Sequence, residues 1–569
     1  MPPEAVKTPK LRLKKKISRM FAAKGKSLED EKDLSSREAM AAWHRKNTDV
    51  HDFYDVIEVV GHGHMGEISV VSRKEKAWEN PARRISSSLH EQLAVSLHDL
   101  ALPVEDEPLR CYACKTVKTA RLKTADLDEI LNEISIMRKL DHPNIIQLFE
   151  VYSTKRQMWL ITELCYGGDL CSRDLDEPGV VVVLEQILKA VTYMHGVGVC
   201  HSDLKLENIL YETPEADSAV KLIDFGLSQK FSAGTKMKRV CGTAYTLSPE
   251  LVECDLKINK IGYTEKSDVW AIGCIVFLLL SGDEPFLGHI KDINNEEKLS
   301  KLLSGKYEFG PRWYIRSISD DAKEFIRGTL QKDPNTRWSA AEAFKFVHDT
   351  WIPGLEPKCP DVFNKKRVKM QSSLFRGMQK YAAFGLMKKT ALIAMARTMD
   401  KSMLGDLKDL FLALDADNSG TITLDSLKET CLTYFEGRDF ATHENIEEIF
   451  RALDTRRAGE INYTEFLAAV AESKGLINLE RMQEAFDRID SKGKGYITKQ
   501  DLKAIFGKDA EEPAIKMMIE EATSKNNGKI DYNEFLRLMF EDPIKGLELS
   551  SGVKGIMAAD EPFMMALTT

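Results

Sequence analysis

The run His201-Ser202-Asp203-Leu204-Lys205-Leu206-Glu207-Asn208, followed downstream by Asp224-Phe225-Gly226, decides how the rest of the chain is read. It offers a carboxylate that can accept a hydroxyl proton, an amide five residues on that can hold a metal ion, and a second carboxylate beyond. Those groups form the acidic half of a phosphoryl-transfer site. Upstream, Gly61-x-Gly63-x-x-Gly66-x-Ile68 follows an apolar run of Val56, Ile57, Val59 and Val60. The pattern predicts strand, glycine turn and strand, whose backbone can approach a triphosphate because glycine carries no Cβ. Tyr112-Ala113-Cys114-Lys115 then supplies a strand lysine for the α- and β-phosphates, and Glu133 falls on a predicted helix as its ion-pair partner.

In this order and spacing the elements resemble the protein-kinase signature. The resemblance implies a bilobal α+β kinase domain over residues 53–352 that binds ATP and Mg²⁺. It assigns Asp203 to the substrate hydroxyl, Asn208 and Asp224 to Mg²⁺, and Lys205 and Lys115 to the charge on the transferred group. Thr162 becomes the residue at the back of the adenine pocket, with the backbone near Glu163 to Cys165 against the base. Thr243 beside Lys205 favours serine or threonine over tyrosine. Glu250 and Arg337 resemble a buried ion pair that braces the large lobe, and Asp268 the acid that anchors the catalytic loop. Asp169 and Glu207 occupy positions that face an arginine upstream of the target hydroxyl, which implies an Arg-x-x-Ser/Thr preference. Ser248 replaces the usual alanine before Pro249-Glu250, a small change. Ser202 replaces the arginine that in many kinases pairs with a phosphorylated activation loop, so phosphorylation there is not the expected switch.

Composition fits this reading. The chain has 569 residues, enough for three to four domains, with 43% hydrophobic and 30% charged residues and a net charge of −8. Mild acidity argues against a general nucleic-acid coat and no specific nucleic-acid partner is expected. The 10 cysteines show no repeating framework, which suits a reducing compartment. Cys111 and Cys114 form a CxxC, but in a strand residues three apart point to opposite faces, so packing is expected rather than metal or redox work. The apolar run from Ala271 to Leu280 is too short to span a bilayer. Residue 2 is proline, so the N-myristoylation motif is absent and a cytoplasmic address is expected.

Residues 1–50 form a basic arm, read as disordered, in which Leu13, Ile17, Met20 and Phe21 give a helical spacing suited to peripheral contact with an anionic membrane. Residues 73–110 form a long insertion before the lysine strand. Within it Arg83-Arg84-Ile85-Ser86 suits phosphorylation by a basophilic kinase, against a plain solvated linker.

Residues 353–401 read as a basic autoinhibitory or junction segment. Leu374, Phe375, Met378, Phe384, Met387, Leu392 and Met395 interleave with Lys365, Lys366, Arg367, Lys369, Arg376, Lys380, Lys388, Lys389, Arg397 and Lys401. Such a helix suits a calmodulin-like groove within the same chain, with a plain packing helix as the alternative.

Four helix-loop-helix units follow over residues 402–544, before a tail of residues 545–569. The first loop reads Asp415-Ala-Asp417-Asn-Ser419-Gly420-Thr421-Ile422, and Gly459/Ile461, Gly495/Ile497 and Gly528/Ile530 repeat its offsets. Kinase, basic junction and four EF-hand-like units together resemble the calcium-dependent protein kinases of plants and protists, from Phe53 to Met539. Calcium loops need oxygens at positions 1, 3, 5, 7 and 9 and a bidentate glutamate at 12. Asp415, Asp417, Ser419 and Thr421 make the first loop the best candidate, yet Ser426 removes the bidentate group. The second keeps Asp454 and Glu465 around Arg456 and Ala458. The third places Lys492 and Lys494 between Asp490 and Asp501, and the fourth has Thr523, Lys525 and Asn527 before Asp531 and Glu534.

Driving an inhibited enzyme from 1:99 to 99:1 takes about 5.5 kcal/mol, whereas one hand preferring the active state about 100-fold supplies roughly 2.7 kcal/mol. Weak or absent calcium switching is therefore expected, with protein substrates as targets and a protein partner of the hands as a further candidate. Two alternatives stay open: calcium activation despite imperfect hands, and an inactive kinase-fold scaffold.

Overall fold

A computed structural model describes residues 44–63, 66–74, 110–122, 124–232, 234–258, 261–286, 296–363, 372–397, 399, 401–417, 419–435, 442–455, 457–490, 493–506, 512–523, 525 and 527–540. Most of the basic arm, the insertion with Ser86, the start of the junction with Lys365, Lys366, Arg367 and Lys369, and the tail lie outside the described residues.

The small lobe is a sheet of β1 (His44–Lys46), β2 (Tyr54–Gly63), β3 (Gly66–Arg73), β4 (Cys111–Lys118), β5 (Leu148–Ser153) and β6 (Gln157–Thr162), in the order β1-β5-β6-β4-β3-β2. β1 falls inside the stretch read as a disordered arm, and pairs parallel to β5 with His44 opposite Val151. The β2–β3 hairpin forms where the glycines predict it, with Gly61 opposite Ile68. β3 then lies on β4 with Ile68 opposite Lys115. At Gly66 the approach is so close that a Cβ would come 1.6 Å from the Thr116 carbonyl oxygen, so no other residue fits. Along β4, Tyr112 and Cys114 are buried while Cys111 and Lys115 are half-buried, the alternation expected of the CxxC pair.

Helix α1 (Thr124–Lys139) crosses this sheet and buries Ile130, Ile134 and Met137 in the main core. The large lobe is built on α2 (Glu177–Gly196) and α3 (Lys266–Ser281). Asp176 caps α2 by accepting from the Gly179 amide, with Pro178 in its first turn. Short strands β7 (Val199–Cys200), β8 (Ile209–Tyr211), β9 (Val220–Leu222) and β10 (Gln229–Lys230) flank the loops between the lobes. β8 pairs with β9 and β7 with β10, both antiparallel, and these pairs flank the loops that carry Asp203 and Asp224.

A second core gathers the junction and the four hands. The junction is two helices, α4 (Ser372–Ala382) and α5 (Leu386–Ala396), broken at Gly385. Leu374, Phe375, Met378, Phe384, Met387, Leu392 and Met395 are all buried in this core. The hands comprise α6 (Lys401–Leu414), α7 (Leu424–Tyr434), α8 (His443–Leu453), α9 (Tyr463–Val470), α10 (Leu479–Ile489), α11 (Lys499–Phe506), α12 (Glu512–Ala522) and α13 (Tyr532–Phe540). Strands β11 (Ile422–Thr423) and β12 (Glu460–Ile461) join the first two loops, Ile422 opposite Ile461. Strands β13 (Tyr496–Thr498) and β14 (Lys529–Asp531) join the last two, Ile497 opposite Ile530. Phe411, Leu414, Phe450, Leu453, Phe466, Phe486, Ile489, Phe535 and Leu538 are buried, as the helical spacing predicts.

The hand module docks on both kinase lobes. Arg73 and Arg110, which bracket the insertion, donate to Glu484 of α10 at 3.1 and 3.3 Å. Arg488 of the same helix donates to Glu484 at 2.9 Å and lies 3.9 Å from Glu150 of β5. Arg45 of β1 donates to the Asp487 carbonyl oxygen at 3.1 Å. Lower down, Thr464 at the start of α9 donates its hydroxyl and amide to the two oxygens of Asp141, at 2.8 and 3.2 Å. Gly420 of the first loop packs against Tyr193 of α2, where a Cβ would come within 2.7 Å of the ring.

Candidate functional site

Three groups converge on the Asp203 carboxylate. Thr243 donates its hydroxyl to Oδ1 at 2.6 Å, and Lys205 and Asn208 reach Oδ2 at 3.0 and 3.3 Å. Asn208 also donates to the Asp203 carbonyl oxygen at 2.9 Å, so its amide oxygen is the atom left to face a cation. Asp203 and Asn208 are buried while Lys205 is half-buried, an arrangement that keeps the carboxylate fixed and one face of it reachable.

The loop that carries Asp203 is held by a single acid. Asp268 of α3 accepts the His201 and Ser202 amides at 2.8 and 2.9 Å and the His195 ring at 2.9 Å. Those bonds hold Ser202 at φ 66, a left-handed conformation that costs a non-glycine residue about 1–3 kcal/mol. Gln229 takes up the space beside Ser202, donating to the Ser202 hydroxyl, the Arg239 carbonyl oxygen and the Tyr263 hydroxyl. Arg239 in turn pairs with Glu129 of α1 at 2.9 Å.

Across the cleft, Lys115 of β4 meets buried Glu133 of α1 at 2.6 Å and Asp224 at 3.6 Å. Burial opposes the charge on Lys115, but Glu133 and Asp224 outweigh it and raise its pKa. Burial likewise opposes ionisation of Asp224, and Lys115, His201 and Lys205 outweigh it, so the carboxyl sits below its ordinary value. Asp224 adopts φ 62, and the Phe225 ring after it lies tilted against the His201 ring with centroids 5.1 Å apart. Gly61, Gly63, Gly66 and Ile68 form the hairpin above, whose tip at 64–65 is outside the described residues.

Glu163 and Cys165 lie at the hinge after β6, behind Thr162, which is opposite Ala113. The Glu163 side chain pairs with Lys221 of β9 at 2.8 Å, and its amide donates to the Gln147 carbonyl oxygen at 3.0 Å. Asp169 and Glu207 stand near each other around Cys171; burial first, then these two carboxylates, raises the thiol pKa. Tyr245 donates to Glu207 at 3.1 Å while accepting the Leu206 amide at 2.9 Å, fixing one acid at the mouth of the cleft. Glu250 and Arg337 form a two-pronged pair at 2.7 and 3.0 Å, buried in the large lobe.

The first hand brings Asp415, Asp417, Ser419 and Thr421 to one loop. Ser419 donates to Asp415 at 3.4 Å, Gly420 to Asp415 at 2.9 Å, and Thr421 to Glu460 of the second hand at 3.0 Å. Burial and the adjoining Asp417 push the Asp415 carboxyl up to about 7. In the second hand the Glu465 carboxylate is already taken by the Thr455 amide at 3.1 Å and the Asn462 amide at 3.0 Å. Among the described residues no group of three or more metal-ligating side chains is set to hold an ion. No helix of the described residues is long and apolar enough to cross a membrane.

Sequence reading missed Tyr245, Gln229 and the Arg239–Glu129 pair. It also gave Arg73, Arg110 and Glu484 no role as partners. The first group has a signal in hindsight: with no arginine at position 202, something else must hold the segment.

A bilobal fold with these groups facing one cleft, followed by two pairs of EF-hands, defines a protein kinase joined to a calmodulin-like module. The protein-kinase domain model matches residues 102–352, and the EF-hand domain pair matches residues 406–471 and 479–540. Calcium-dependent protein kinase 33 of Arabidopsis thaliana is 30% identical over 506 residues, covering 84% of this chain and 92% of that protein. Calcium-dependent protein kinase 34 of the same plant is 31% identical over 459 residues, 77% of this chain and 82% of that protein. Calcium-dependent protein kinase 3 of Plasmodium berghei is 33% identical over 445 residues, 75% of each. The chain belongs to the calcium-dependent protein kinase family and is a serine/threonine protein kinase.

Proposed function

We propose that the enzyme transfers the γ-phosphate of ATP to serine or threonine hydroxyls that follow an Arg-x-x spacing, and that its hands no longer make it depend on calcium. The observation that carries the catalytic part is the single carboxylate shared by Thr243, Lys205 and Asn208. Asp203 accepts the hydroxyl proton as the oxygen attacks phosphorus, and Thr243 keeps that carboxylate turned toward the substrate. Lys205 offsets charge on the transferred group, and Lys115, held by Glu133, orients the α- and β-phosphates. The backbone of Glu163 and Cys165 would take the adenine edge, below the hairpin of Gly61, Gly63, Gly66 and Ile68. Asp224 and Asn208 offer a carboxylate and an amide oxygen, the hard donors Mg²⁺ takes, and would hold it. When bound, the ion neutralises phosphate charge.

Asp169 and Glu207 would hold the upstream arginine in charge-assisted bonds. Changing Asp169→Asn or Glu207→Gln is expected to lower kcat/KM about tenfold for an arginine-bearing peptide and to leave a peptide without arginine unaffected. Equal loss on both peptides would contradict the assignment.

Calcium independence is supported by the side chains that fill the loops: the second hand's glutamate is spent within its own loop, and the first lacks a carboxylate at Ser426. Phosphorylation of an Arg-x-x-Ser peptide by the full-length enzyme is expected to agree within about twofold in excess calcium and in chelator, since no loop supplies the differential binding a switch needs. Activity confined to calcium would favour a second reading, in which the first hand binds once Gly420 is seated on Tyr193.

A further inference from the structure

Calcium is the ion the family implies, and the third and fourth loops do not fit it. An EF-hand loop presents six or more oxygens around a point between its first and last acids. In the third loop that point holds an ammonium. Lys494, at the fifth position, puts Nζ 2.5 Å from Asp501 Oδ2 and 3.2 Å from Asp490 Oδ1, the last and first acids of the loop. Asp501 Oδ2 also accepts the Thr498 amide and hydroxyl at 2.8 and 2.5 Å, and Asp490 Oδ2 accepts the Gly495 amide at 2.6 Å. Asp490 is fully buried and its Oδ1 accepts no hydrogen bond, so the lysine is the counter-charge at that atom.

The fourth loop repeats the device from a different position. Lys525, at the third position, puts Nζ 2.6 Å from Asp531 and 3.5 Å from Glu534, the ninth and twelfth residues of the loop. Thr523 donates to Glu534 at 2.7 Å. Because β13 and β14 tie the two loops together, each ammonium supports the other's hand. Lys525 is the more exposed of the two, its side chain 57% accessible against 23% for Lys494.

We propose that Lys494, assisted by Lys525, is a tethered cation that stands in the place of calcium and keeps the third and fourth hands permanently in the arrangement that presents α10 to the kinase. This rests on the calcium-independent reading above. The link to the kinase is direct: Asp490 caps the C-terminal end of α10, and the helix carries Glu484, Asp487 and Arg488, which meet Arg73, Arg110, Arg45 and Glu150 of the small lobe. A positive charge at the end of α10 also complements the helix dipole. Burial disfavours the charged lysine, but Asp501 and Asp490 outweigh it and raise the pKa of Lys494. An ammonium on the same chain is present at a fixed, high effective concentration, so its occupancy does not follow the calcium level. A divalent ion would have to expel it and would then find lysines where two oxygens are needed.

The test uses the full-length protein in chelator and in excess calcium, reading thermal unfolding and hydrogen exchange of the α10 amides. The wild-type α10 is expected to exchange at the same rate in both. Lys494→Met removes the charge but keeps the length, and should lower the unfolding midpoint by about 5 °C and speed α10 exchange at least roughly tenfold in both buffers, with Lys525→Met following more mildly. Lys494→Asp restores an oxygen at the fifth position and should lose stability in chelator and regain it in calcium. Unchanged exchange in Lys494→Met, or calcium-dependent protection of α10 in the wild type, would overturn the proposal. The wild-type measurement needs no variant to fold. Neither readout depends on turnover, so an inactive enzyme whose α10 responds as described would sink the kinase reading and leave the tethered cation standing. Calcium-stimulated activity with unchanged α10 exchange would likewise count against calcium independence and for the lysines.

Discussion

Asp203→Asn is expected to lower kcat about 10³-fold while the protein unfolds at the wild-type temperature. Asparagine has the same shape and can keep the contacts that fix the loop, accepting from Lys205 with its carbonyl oxygen and turning its amide toward Thr243, now 2.6 Å from Oδ1. What it cannot do is take a proton, and it removes the negative charge that orients the attacking hydroxyl. The ATP side of the cleft is untouched, because Lys115 is held by Glu133 and Asp224. The KM for ATP should therefore stay within about threefold, and the loss should fall on kcat. Steady-state kinetics beside a melting curve check both halves. A variant retaining a tenth or more of the wild-type rate would mean that Asp203 positions the substrate without accepting its proton.

That prediction can be written from the sequence because the catalytic groups are chemically irreplaceable and rigidly spaced. Lys115, Glu133, Asp203, Asn208 and Asp224 each do something no neighbouring residue type does, and short strands and turns fix the intervals. The paired hands are legible for a related reason: glycine at the sixth loop position and isoleucine at the eighth recur, and the buried Ile422–Ile461 and Ile497–Ile530 pairs are their consequence. The contacts between lobes and hands follow no such rule. Arg73 and Glu484 stand 411 residues apart, on a strand and a helix whose periodicities say nothing about each other. A charged residue reads as surface by default, and only tertiary pairing reveals that this one is buried. The loop lysines were legible as missing oxygens, but where a flexible four-carbon stem places its ammonium depends on the acids around it. β1 was hidden because three residues of a basic arm carry no strand pattern of their own.

The contacts invisible in the sequence carry the second large effect. Glu484→Ala should lower the unfolding midpoint of the full-length protein by about 10 °C. Its side chain is 4% exposed and accepts from Arg73, Arg110 and Arg488. Burial opposes ionisation of Glu484, and Arg488, Arg73 and Arg110 outweigh it, holding its pKa below the ordinary value. Alanine strands those guanidinium groups against a dry interface, and breaking a buried pair from one side costs about 3–5 kcal/mol. At roughly 2–4 °C per kcal/mol for a unit of this size, that gives the shift expected. The origin of the loss can be separated from simple loss of packing. Glu484→Gln keeps the shape and drops the charge, so it should fall most of the way to the alanine variant. Pairing Glu484→Met with Arg73→Met removes both charges and fills the space with apolar surface, so the double variant should be more stable than the sum of the two single changes. Since the site is buried, raising the salt concentration should leave these differences unchanged, whereas a surface pair would be screened. Calorimetry of these variants at two ionic strengths decides the matter. A shift below about 2 °C for Glu484→Ala, or additivity in the double variant, would show that the small lobe and α10 touch without depending on these charges.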